Sequence, residues 1–201
     1  MYADQGTFLS IRGKYIEGVE VTTLGSTSTT RDTINKFNHW IQWRVIWDNY
    51  FDHIGKLKFG FYADVMFSNQ PFFANYTSTI LAAPAFQPLQ ETKTLFLEKF
   101  SAHNFLGLGL KNVFSVRKNF DLRLEGYVFQ PFQSIEQDPV TLKANYSEVF
   151  SKRYFLGTFG LVYHSPVGPI SLSVNYYDKA EKPFTVLFHF GYILFNRKAL
   201  E

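Results

Sequence analysis

The chain has 201 residues and a formal charge of +3, with 46% hydrophobic and only 18% charged residues, and its aromatic load is 23 Phe, 12 Tyr and 3 Trp. That composition can bury surface, so disorder is excluded. With no cysteine, disulfide scaffolds, thiolate metal sites and thiol catalysis are excluded too. Lysine and arginine are scattered, which gives no nucleic-acid footprint. No apolar run is long enough for a membrane-spanning helix, a test that a transmembrane β-barrel evades by placing apolar residues at alternate positions.

From the start of the chain a period of two recurs, which belongs to strands. Leu9, Ile11 and Tyr15 alternate with Ser10, Arg12 and Lys14. Ile41, Trp43, Val45 and Trp47 alternate with Gln42, Arg44 and Asp48. Leu57, Phe59, Phe61, Ala63, Val65 and Phe67 face away from Lys58 and Asp64, and Phe120, Leu122, Leu124 and Val128 from Asp121, Arg123 and Glu125. Segments 103–116 and 152–164 are strands richer in glycine. Ile170–Tyr176 alternates without a break, and after Asp178–Pro183 the even positions resume with Phe184, Val186, Phe188, Phe190, Tyr192 and Leu194.

Eight strands are therefore expected at 7–23, 38–49, 56–68, 103–116, 120–131, 152–164, 170–178 and 184–195. The connections 24–37, 69–102 and 132–151 are long, and 50–55, 117–119 and 165–169 are short; 179–183 is short on the long side. Long external loops and short periplasmic turns are the pattern of outer-membrane barrels, and this register places both termini in the periplasm. The expected fold is all-β: an antiparallel transmembrane β-barrel domain over 1–201, with outer-membrane lipid and the barrel assembly machinery as partners. A soluble β-sandwich or lipocalin-like lipid carrier alternates in the same way but turns its charges to water.

The alternation assigns faces. Arg12, Lys14, Glu20, Arg44, Lys58, Asp64, Asp121, Arg123 and Glu125 should share a side away from lipid, as lining of a polar path or as balanced interior charge. Trp40, Trp43, Trp47, Tyr50 and Phe51 are candidates for an interfacial aromatic belt. Segment 69–102 is long for a structureless connection and should be an extracellular or lumen-inserted loop. The histidines at 39, 53, 103, 164 and 189 have no metal-ligand spacing, and no cofactor is expected.

Two sets of residues resemble a known family. His164-Ser165-Pro166-Val167-Gly168-Pro169-Ile170, with Gly191 and the terminal aromatic Phe195, resembles the last strands of the Omp85 superfamily of outer-membrane barrels, and would serve as a C-terminal assembly signal. Phe67–Thr77, Ala83–Pro88, Thr94–Glu98 and Leu124–Pro131 resemble the C-terminal barrel of Bacteroidetes patatin-like outer-membrane proteins. Those join a periplasmic phospholipase domain to a 16-stranded barrel. The resemblance implies a C-terminal half barrel, completed by an N-terminal half or a second chain, that anchors or translocates the lipase module. A patatin nucleophile elbow, Gly-x-Ser-x-Gly, does not occur here, so no enzyme is expected and no catalytic residue is assigned. Segment 69–102 holds no arginine, unlike the Arg-Gly-aromatic loop of Omp85 barrels, and Arg12-Gly13-Lys14-Tyr15 sits in a strand instead. Alternatives are a complete eight-stranded structural or adhesion barrel, a phospholipase acting through another domain, and the soluble carrier.

Overall fold

A computed structural model describes residues 5–23, 33–165 and 168–191. The protein is all-β. Eight strands form one antiparallel sheet in the order β1 (Gly6–Thr23), β2 (Thr33–Ile54), β3 (Leu57–Ser68), β4 (Phe105–Arg117), β5 (Phe120–Pro131), β8 (Tyr154–Ser165), β9 (Gly168–Tyr177) and β10 (Phe184–Phe190). A separate two-stranded hairpin, β6 (Ile135–Gln137) and β7 (Ala144–Tyr146), rises between β5 and β8. Among the described residues β1 and β10 pair only with β2 and β9, so both edges of the sheet are open.

Most strand ends shift by one or two residues from the periodicity reading, the last strand is Phe184–Phe190 among the described residues rather than 184–195, and two further differences are larger. The second strand extends at both ends, to Thr33 because it stays paired with β1 as far as Thr23, and to Ile54 because it continues pairing with β3 past a bulge between Tyr50 and Asp52; the connection to β3 shrinks to two residues. The connection 132–151 contains the β6–β7 hairpin, too short for a period to register.

Register follows one parity across the whole sheet. Ladder partners include Arg12 with Arg44, Asp64 with Gly107, Lys111 with Glu125, Arg123 with Gly160, and Ser173 with Leu187. Antiparallel partners point to the same side, so these residues line one face. The other face is apolar and open: Leu110 is 63%, Leu124 58% and Phe188 65% exposed. Exposed side chains are normal one at a time, but a continuous apolar face of this extent marks a surface made for contact.

The charge-bearing face is covered by residues 69–104. The segment leaves β3, forms a short helix α1 (Tyr76–Ala82) capped by Asn75, and runs inward past Phe86. It turns at Glu91–Lys93 and returns antiparallel to itself, with Phe86 N–H donating to the Phe100 carbonyl and Ala102 N–H to that of Pro84. The core lies between this segment and the sheet, built from Phe86, Leu89 and Phe100 against Tyr62, Phe105, Tyr127, Phe129 and Tyr154. Phe86 is 1% exposed and stacks on Phe129 with ring centroids 5.5 Å apart. Burying such a ring contributes roughly 1.5–3 kcal/mol.

Candidate functional site: the covered polar face

The strand ladders bring Arg12, Lys14, Glu20, Arg44, Lys58, Asp64, Asp121, Arg123 and Glu125 onto the same face, but they do not form one cluster. Arg44 grips Asp64 with two parallel bonds, Nε to Oδ1 at 2.9 Å and Nη2 to Oδ2 at 2.6 Å. The same Nη2 donates to the Ala85 carbonyl at 3.1 Å, tying the covering segment to β2. Asp64 is fully buried, so this is a desolvated charge held by its partner.

Further along the face Arg123 donates to Glu125 at 3.1 Å and to the Tyr50 hydroxyl at 2.6 Å, and Tyr127 donates to the other Glu125 oxygen at 2.6 Å. Lys111 bonds Asp48 at 2.7 Å and lies over the rings of Tyr50 and Tyr62. Asp121 accepts from Ser115 and faces His164 Nε2 at 2.9 Å. Glu20 is taken by the covering segment, accepting from Ala74 N–H and from Asn38. A cavity of about 270 Å³ with mixed walls remains between residues 88–91 and the sheet, lined by Asp48, Lys111, Arg123 and Asn175 and also by Leu89 and Val162.

Several of these partners escape sequence reasoning. Lys111 shares its parity with Gly107 and Gly109, so β4 shows no polar alternation to mark it. Glu91 looks like any loop acid, yet its Oε2 accepts from Tyr177 at 2.7 Å and Thr185 at 2.6 Å, and also from the Asn175 amide. It fastens the tip of the covering segment to β9 and β10. His103 is fully buried at the segment's return, 2.7 Å from the Tyr146 hydroxyl of β7. Burial alone depresses its pKa to about 4, so it is neutral at pH 7.

The expected aromatic belt divides. Trp43, 53% exposed, and Trp47, 43% exposed, stand on the apolar face. Trp40 has the parity of Arg44 and packs its edge on Phe73 of the covering segment at 5.9 Å, so it does not belong to that face. Tyr50 is also on the charged face, where it accepts from Arg123. Phe51 sits in the bulge and is exposed. In Arg12-Gly13-Lys14-Tyr15 the glycine seats a ring: a Cβ at Gly13 would lie 2.9 Å from Trp43 Cζ3. Gly191 has φ +93° and donates its N–H to the Pro169 carbonyl; Phe195 lies outside the described residues. Among the described residues no group of three metal-ligating side chains assembles.

Compared with protein-family models, with curated proteins and with solved structures, the chain matches none.

Proposed function

We propose that this chain is a non-catalytic part of an outer-membrane β-barrel of Omp85 type, its apolar face toward lipid and its charged face toward a lumen occupied by residues 69–104. The observation that carries the reading is the inversion of an ordinary soluble barrel. The open face is built from Val65, Leu108, Leu124, Phe159 and Val174, while Asp64, Lys111, Asp121 and Arg123 are buried on the other. Lipid satisfies such a face and water does not. The open edges support a half barrel, because unpaired backbone groups in hydrocarbon each cost several kcal/mol, and the absent strands belong to an N-terminal half or a second chain. Anchoring or translocating a patatin-like lipid hydrolase is the role that the residues of 67–98 and 124–131 suggest by their resemblance.

These 201 residues hold no cysteine, so single-cysteine variants within them test this position by position. Leu108→Cys and Val174→Cys in cell envelopes are expected to stay unlabelled by a water-soluble maleimide, and to react with it once the membrane is dissolved and the protein denatured. Val140→Cys, at an 87% exposed loop position, should label on intact cells. Free aqueous labelling of the Leu108→Cys and Val174→Cys variants, with the protein in the soluble fraction, would overturn the reading.

A further inference from the structure

Three cations of the polar face have a carboxylate partner, and among the described residues the two on the open edge at β1 do not. Arg44 has Asp64, Lys111 has Asp48 and Arg123 has Glu125. Arg12 stands directly opposite Arg44, whose carboxylate partner is already engaged on the far side. Lys14 stands opposite Gln42, which bonds Gln70. Neither Arg12 nor Lys14 has an ion-pair partner among the described residues. The acids of their own strand are committed elsewhere: Glu17 lies on the opposite parity beside the Tyr15 hydroxyl, and Glu20 holds Ala74 and Asn38.

Like charges facing each other across a ladder destabilise it, and a cation enclosed in a lumen needs a counter-charge. We infer that the edge of β1 receives a strand whose lumen-facing positions carry two carboxylates, two residues apart, that pair with Arg12 and Lys14. Its intervening side chains are apolar and continue the face of Leu9, Ile11 and Tyr15. Adjacent strands lie about 4.8 Å apart, within reach of both cations from directly opposite or diagonal positions. The recognition is β-strand addition: main-chain bonds supply affinity and alternate side chains supply register. An edge left as it is, 18 residues long with an apolar flank, is a template for pairing. The inference rests on the half-barrel reading and adds the chemistry of the absent neighbour.

The test uses the full-length protein in its native membranes. A carbodiimide joins an amine to a carboxylate in contact with it without adding atoms, so Lys14 is expected to form an amide with an Asp or Glu outside residues 6–190, identified by mass spectrometry. Lys14→Arg should lose that cross-link and keep assembly; Lys14→Glu should lose both. A photo-crosslinker in place of Tyr15 reports the neighbouring strand whatever its charge. Capture of a strand outside 6–190, with Lys14 unlinked, would overturn the acidic partner and leave the half barrel standing. Capture of β10 would show self-closure and overturn both, as would capture of no protein at all.

Discussion

At the scale of single residues, the covering segment is held where side chains are missing as much as where they are present. A Cβ built on Gly107 would stand 2.1 Å from Phe86 Cε2 and 2.6 Å from Cδ2. Phe86 is enclosed by Tyr62, Phe105, Tyr127 and Phe129 and has nowhere to yield. Gly107→Ala should therefore destabilise the protein by about 1–3 kcal/mol, the usual cost of overpacking. In detergent, thermal unfolding of Gly107→Ala, Phe86→Ala and the double variant should be non-additive, because the space vacated by the Phe86 ring accepts the new methyl. An unchanged midpoint in Gly107→Ala would show that Phe86 does not sit on that glycine in the folded protein. Asp64 makes the complementary case. Removing it leaves Arg44 half-buried without its fork partner, held on that side only by its bond to the Ala85 carbonyl.

The elements differ in how firmly they are tied down. The β6–β7 hairpin leans on the covering segment through Ile135 against Ile80 and Ala83, and through Tyr146 against Phe72 and His103. His103 holds this contact in its neutral form, with its pKa lowered to about 4 by burial. A detached hairpin exposes the ring and restores an ordinary value near 6.5. Between those two values the detached state binds the extra proton, so docking is full above about pH 6.5 and weakens as pH falls toward 4. Protection of residues 134–147 against hydrogen exchange, taken relative to the intrinsic exchange rate at each pH, should fall between pH 7 and pH 5, and His103→Gln should remove that fall. Protection factors that stay constant with pH in the natural protein would count against the contact. The strands around this hairpin are legible in sequence because a sheet with one apolar and one charged face imposes a strict period of two over ten or more residues. The hairpin is not, since three-residue strands such as Ala144–Tyr146 repeat nothing. Trp40 and Tyr50 leave the belt for a related reason: residue type suggests an interface, whereas parity, the stronger constraint, puts both on the charged side. Glu91 has no local signal at all, as its three partners lie on two strands far along the chain.

For the whole molecule, strand length sets proportion. An apolar layer needs about 9–11 tilted residues per strand, and β3, β4, β5, β8 and β9 have 10 to 13. In the proposed barrel, the 18 residues of β1 and 22 of β2 would be longer than that layer, and these two strands would extend beyond it. A sheet with two free edges also predicts mass. Extracted gently and weighed by light scattering, the protein part of the particle should exceed one 23.3 kDa chain, whether the added strands come from the same polypeptide or another; a lone 23.3 kDa particle with β1 protected from exchange would mean that the sheet closes on itself. The Glu91 anchor, finally, imposes an order in time. Neighbouring strands meet across hairpins and pair early, since short loops close at little entropic cost. Glu91 is separated from Asn175 and Thr185 by 84 and 94 residues, and contacts so distant along the chain form late. The covering segment can seat Phe86 and Ala85 on β2–β5 as soon as those strands pair, whereas its tip at Glu91 emerges long before β9 and β10 exist and is fastened last. The final two strands therefore lock an insert that is already held at its base.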